Sequence, residues 1–82
     1  MSNARTPAQI GALIQRERRA RDLTQAQLGA RIGRRQATIS SLEKGEPGTQ
    51  LGTLFDVLAA LNLELAIVER GKSRAPDIES IF

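Results

Sequence analysis

The chain has 82 residues, with 12 Lys and Arg against 9 Asp and Glu for a net charge of +3, and it contains neither cysteine nor histidine. That composition excludes zinc-finger ligand sets, disulfide staples, catalytic thiols and imidazole bases, so no metal, no cofactor and no enzyme activity is expected. No apolar run is long enough to span a bilayer and no signal-peptide pattern is present, which predicts a cytoplasmic protein with no membrane partner.

The length predicts one small domain, near the size at which a dimer interface helps stability. Charge is unevenly placed. Residues 1–45 hold nine Arg and Lys against three acids, whereas residues 46–82 hold three against six. A basic first half suits phosphate binding and an acidic second half suits partner contacts.

Residues 1–5 read as a disordered leader, and the domain is expected over residues 6–70. Thr6-Pro7-Ala8-Gln9 is a helix start, with an N-cap threonine, a proline at the first helical position and a glutamine for the capping box. A first helix should run to about Arg21, with Ile10, Leu13 and Ile14 as its apolar stripe and Glu17 and Arg21 as an i, i+4 pair. Arg16, Arg18, Arg19 and Arg21, taken alone, read as a solvated face plus a structural pair. Asp22 and Leu23 form a short connection, with Leu23 inserting into the core.

Residues 24–45, TQAQLGARIGRRQATISSLEKG, carry the strongest pattern. Thr24 and Gln27 form a second capping box, so a helix should start at Gln25, bury Leu28 and Ile32, and stop at Gly33. Gly29 lies inside this helix, where glycine costs up to about 1 kcal/mol relative to alanine, and close approach of another helix would account for it. A third helix is expected from about Arg35 to Lys44, burying Ile39 and Leu42 and closed by Gly45. Its outer side, Arg35, Gln36, Thr38, Ser41 and Lys44, is a hydrogen-bonding surface. Two short helices joined by a glycine turn make the helix-turn-helix arrangement, whose second helix enters the major groove of double-stranded DNA. There Gln36 would read adenine, Arg35 guanine or a phosphate, and Ala37 and Thr38 would lie against a thymine methyl or bond through the hydroxyl. Thr24, Gln25, Arg34, Ser41 and Lys44 would hold the DNA backbone.

Glu46-Pro47-Gly48 breaks the chain, and Thr49 is expected to cap a fourth helix, about residues 50–61, with Leu51, Leu54, Phe55, Leu58 and Leu61 facing inward and Asn62 ending it. Residues 63–69 alternate as a strand would, with Leu63, Leu65 and Ile67 on one face. A lone strand needs a partner for its backbone, which a second copy of the chain would supply. The other reading is that this segment continues the fourth helix. Residues 71–82 read as a flexible tail whose Ile78, Ile81 and Phe82 are either a partner or protease peptide or a frayed end.

The motif of residues 24–45 resembles the lambda-repressor-like, or XRE-type, helix-turn-helix family over about residues 10–61, with Gln25, Gly29, Gly33, Ile39 and Leu42 at its characteristic positions. Gly29 departs from the alanine usual there. The resemblance implies an ion pair between Arg18 and Glu43. Residues 32–40, IGRRQATIS, together with the strand-like segment after the fourth helix, are similar to HipB-type antitoxins over about residues 10–70. The resemblance implies a mainly α, four-to-five-helix lambda-repressor-like domain with a C-terminal β-strand pairing across a homodimer. It further implies a repressor of a palindromic operator, nucleoid-associated when bound, that acts as antitoxin to a HipA-type serine/threonine kinase. Two alternatives stand beside it: a stand-alone XRE regulator with no toxin, and a protein-interaction module that binds no DNA.

Overall fold

The computed structural model describes residues 3–70 of the chain. Its helices are α1 (Pro7–Ala20), α2 (Gln25–Arg31), α3 (Gln36–Lys44) and α4 (Leu51–Ala60). α1 starts where Thr6 Oγ1 accepts the Gln9 N–H at 3.1 Å, with Pro7 filling a position whose N–H would be unpaired anyway. The Gln9 side chain reaches back to the Arg5 N–H rather than to the cap residue itself. α2 has the full reciprocal box: Thr24 Oγ1 accepts from Gln27 N–H at 3.0 Å, and Gln27 Oε1 accepts from Thr24 N–H at 2.8 Å.

All four described helices stop by the same device. A residue in the left-handed region follows each one: Asp22 (φ 56°), Gly33 (φ 69°), Gly45 (φ 80°) and Asn62 (φ 59°). The next N–H then bonds back to a carbonyl of the last turn, Leu23 to Arg18 (3.2 Å), Arg34 to Gly29 (2.8 Å), Glu46 to Ser41 (3.1 Å) and Leu63 to Leu58 (2.8 Å). This motif satisfies carbonyls that a helix end would otherwise leave unpaired and reverses the chain sharply. At α1 and α4 the residue after the reversal is a leucine, and both Leu23 and Leu63 fold back onto the core.

The core is a cluster of Ile14, Leu28, Ile39, Leu42, Val57 and Leu61, one or two residues from each helix or its C-cap, with Ile10, Leu23, Ile32, Leu54, Ala60 and Leu63 packed around it. α3 lies at the centre, against both α1 and α2. Close approach there depends on Gly11. A Cβ at that position would stand 2.5 Å from the carbonyl oxygens of Leu42 and Glu43, so α1 reaches the last turn of α3 only because no side chain intervenes. Gly29 does the same for the turn: a Cβ would lie 2.7 Å from the Arg34 carbonyl oxygen. The mid-helix glycine thus lets the connection between α2 and α3 fold flat against α2.

Two expectations and one alternative reading are corrected. Thr49 does not cap α4; its hydroxyl donates to the Glu46 carbonyl at 3.1 Å, and Gln50 occupies the cap position with no side-chain bond. Leu51 and Phe55 do not face inward but are 69% and 49% exposed, while Thr53 and Val57 are buried. The large apolar residues of α4 cover an arc broader than the core can bury, and packing centres on Val57 and Leu61 and leaves Leu51 and Phe55 at the outer edge. Residues 63–69 do not continue α4, because Asn62 turns the chain away. Among the described residues no strand is present either; the segment runs along the surface with Leu65, Ile67 and Val68 exposed. The leader's first two residues and the tail, with its Ile78, Ile81 and Phe82, lie outside the described residues.

Candidate nucleic-acid interface

The crossing of α2 and α3 brings their first turns side by side. Gln25 is the first residue of α2 and Gln36 the first of α3, and Gln36 Nε2 donates to Gln25 Oε1 at 3.2 Å. Gln25 Nε2 in turn donates to Glu43 Oε1 at 3.0 Å. Glu43 is gripped from the other side by Arg18, whose Nε donates to Oε2 at 2.6 Å and whose Nη2 donates to Oε1 at 3.0 Å. The remaining reach of Arg18 is used by Nη1, which donates to the Leu23 carbonyl at 2.7 Å. A continuous polar line therefore runs from a buried ion pair to the surface of α3.

Arg18 and Glu43 side chains are only 8% and 2% exposed. Burial alone would push the Glu43 carboxyl up, but the hydrogen bonds from Arg18 and Gln25, the Arg18 charge and a further hydrogen bond from Gln15 together outweigh it and hold the group below the usual carboxylate range. The bidentate geometry and the satisfied lone pairs are what a buried pair needs to offset its desolvation. Arg18 thus leaves the basic face of α1. Arg21 pairs with Glu17 at 2.8 Å, as the i, i+4 spacing anticipates.

Around the α3 N-terminus the candidate residues are presented as a group. Arg34, Arg35, Gln36 and Ala37 are exposed and Thr38 is half-buried, so the first turn of α3 offers two guanidinium groups, an anchored amide and a small apolar patch. No side chain caps α3, which leaves its N-terminus open to an acceptor such as an anion. Arg34 approaches Asp56 of α4 at 3.9 Å across an open surface, a contact worth at most about 1 kcal/mol. Thr24 is exposed beside this turn; Ser41 is half-buried and Lys44 exposed at the far end of α3. Gln25 is half-buried, its amide nitrogen donating inward to Glu43 and its oxygen accepting from the exposed Gln36. Of the proposed dimer-strand residues, Leu63 packs on the core, whereas Leu65 and Ile67 are exposed.

Sequence reasoning missed three features. Gly11 had no pattern to distinguish it from an ordinary helix residue. The link from Glu43 to Gln25 and Gln36 joins residues 18 and 11 positions apart, and only the crossing of α2 on α3 brings them together. The available signal was that both glutamines open a helix. Asp22 as a left-handed helix stop was legible in principle, since aspartate tolerates that region.

Among the described residues no group of three or more His, Cys, Asp or Glu could hold a metal, and no helix is long and apolar enough to cross a membrane. Residues 14–68 match the family model HTH_3, described as helix-turn-helix. Antitoxin HipB of Escherichia coli K12 is 32% identical over 72 residues, covering 88% of this chain and 81% of that protein. An uncharacterised HTH-type transcriptional regulator of Sinorhizobium fredii, y4mF, is 36% identical over 70 residues, or 85% of this chain and 92% of that protein. Among solved structures, a HipB–O4 20mer complex superposes with a TM-score of 0.78 at 30% identity, covering 84% of this chain and 97% of the HipB chain. A HipA–HipB–O2–O3 complex gives a TM-score of 0.77 at 30% identity over the same shares. The chain therefore belongs to the XRE-type helix-turn-helix family of transcriptional regulators, non-enzymes that include the HipB antitoxins to which it is similar.

Proposed function

We propose that this chain is the DNA-binding antitoxin of a HipA-type kinase operon and that it represses a palindromic operator as a homodimer. The observation that carries the DNA reading is the anchored Gln36, held at the tip of α3 by Gln25 with Arg35, Ala37 and Thr38 exposed or half-exposed beside it. A glutamine amide whose rotamer is already fixed loses little freedom on docking to an adenine edge. Arg35 reads guanine or a phosphate, and Thr24, Gln25, Arg34, Ser41 and Lys44 position the DNA backbone, Gln25 also through its bond to Gln36.

A single module of this size buries too little surface for tight specific binding, so two copies are needed, about 34 Å apart on successive major grooves. The dimer is supported by the segment after Asn62. There Leu65, Ile67 and Val68 are 46%, 95% and 52% exposed on chain outside any helix, apolar surface that pairing with a second copy through Leu63, Leu65 and Ile67 would cover. The kinase partner rests on likeness to HipB, whose solved structures include a complex with HipA and DNA.

Coexpression with the product of an adjacent kinase-type gene, followed by affinity capture and sedimentation, tests the antitoxin reading. The expected result is a stable complex containing two copies of this chain. A monomer at micromolar concentration would sink the dimer, and failure to retain the kinase would sink the antitoxin role.

A further inference from the structure

Every group that meets the Glu43 carboxylate is a donor. An ionised carboxylate accepts only and a guanidinium donates only, so with Arg18 on one flank the Gln25 group that faces Glu43 is its NH2. The Gln25 oxygen is then turned toward α3, where it accepts from Gln36 Nε2 at 3.2 Å. Gln36 keeps one N–H and its own oxygen for the outside, the pair that matches N7 and the N6 amino group of adenine. If Gln25 turned over, its NH2 would face Gln36, the Gln36 oxygen would turn to meet it, and both Gln36 N–H groups would point outward. That arrangement suits the two acceptors of guanine.

We propose that Glu43 is a positioning residue for base reading: by forcing one orientation on the Gln25 amide it sets which edge of Gln36 faces the DNA, and so favours adenine over guanine. The buried ion pair then has a second role beyond holding α1 to α3. This rests on the assignment of Gln36 as a base reader. The polarity of the relay is a property of the free protein and is tested without DNA.

The test uses full-length protein and a randomised duplex library. Selection with the native protein, repeated with Gln36→Ala, identifies the base pair that Gln36 reads. Adenine and guanine versions of that duplex are then compared for the native protein, Glu43→Gln, Gln25→Met and the double variant. The native protein should prefer adenine by about tenfold or more, and each single variant by less than about threefold. The double variant should lose no further preference, although Glu43→Gln, which also weakens the Arg18 pair, should lower the unfolding midpoint more than Gln25→Met. A Glu43→Gln protein that is folded by circular dichroism and keeps the native preference would overturn the proposal.

Should Glu43→Gln fail to fold, the native protein still decides. The Gln25 side-chain amide protons should exchange with solvent at least about tenfold more slowly than those of the exposed Gln50, as protected hydrogen-bond donors do. Equal exchange at the two glutamines would overturn the relay. Slow exchange at Gln25 together with no base preference in the native protein would instead overturn Gln36 as the reader, and the proposal with it.

Discussion

Replacing Glu43 with alanine is expected to cost this domain much of its stability. The substitution removes two of the three hydrogen bonds made by Arg18 and leaves a guanidinium in a site where its side chain is 8% exposed, with only the Leu23 carbonyl at 2.7 Å as partner. Orphaning one member of a buried pair costs about 3–5 kcal/mol, against a total stability of about 4–12 kcal/mol for a chain of this length. The thermal midpoint should fall by at least about 12 °C, taking about 4 °C per kcal/mol for a small domain. An Arg18→Met, Glu43→Leu double variant leaves no charge unpaired and should recover at least half of the loss. Urea denaturation of the native protein, Arg18→Met, Glu43→Leu and the double variant, followed by circular dichroism, measures the coupling. A Glu43→Ala cost below about 1 kcal/mol, or a double variant as unstable as the single one, would refute the account of the pair. The pH dependence has a definite sign. Because the folded carboxyl sits below its ordinary value of 4.5, its contribution is fully present above 4.5 and is lost as pH falls through the lower folded value. Glu43→Gln should therefore show a shallower acid limb than the native protein.

Gly11→Ala should destabilise by about 1–3 kcal/mol despite the better helix propensity of alanine, because its Cβ would meet the Leu42 and Glu43 carbonyl oxygens at 2.5 Å. A neutral or stabilising result in chemical denaturation would show that α1 can shift away without cost. Leu61→Ala, at a site 1% exposed, should cost about 2–5 kcal/mol, whereas Leu51→Ala should change stability by less than about 0.5 kcal/mol. Equal costs would place the buried face of α4 wrongly. Val68→Pro removes a backbone donor from the segment assigned to dimer pairing and should lower the association constant measured by sedimentation. A variant that dimerises as the native chain does would remove residues 63–69 from the interface.

The helices and their ends were legible because the signals are local. Thr6, Pro7 and Thr24 start α1 and α2, and Gly33, Gly45 and Asn62 stop α2, α3 and α4, each through hydrogen bonds or backbone angles fixed within a few residues. Thr49 misled for the same reason. Its hydroxyl donates back to the Glu46 carbonyl instead of accepting from the first turn of α4, a local alternative open to any threonine. The exact face of α4 was illegible because Leu51, Leu54, Phe55, Val57, Leu58 and Leu61 form an apolar arc of about 160°, wider than the packing covers, and only docking against α2 and the core decides which edge is buried. Within the interface, the residues of the α3 surface could be named from their chemistry and spacing. The pairing of Gln25 with Gln36, and the path from Glu43 that orients them, could not, since they depend on the angle at which two helices cross.

Gln36 is the point on which the DNA-reading account turns, and equilibrium binding of native and Gln36→Ala protein to a selected inverted-repeat duplex and a scrambled duplex, across a salt series, tests it most directly. The account predicts that Gln36→Ala loses about 1–3 kcal/mol on the selected duplex, keeps its affinity for the scrambled one, and keeps the salt slope. Equal losses on both duplexes, or no salt-dependent binding of the native protein to duplex DNA at all, would contradict it.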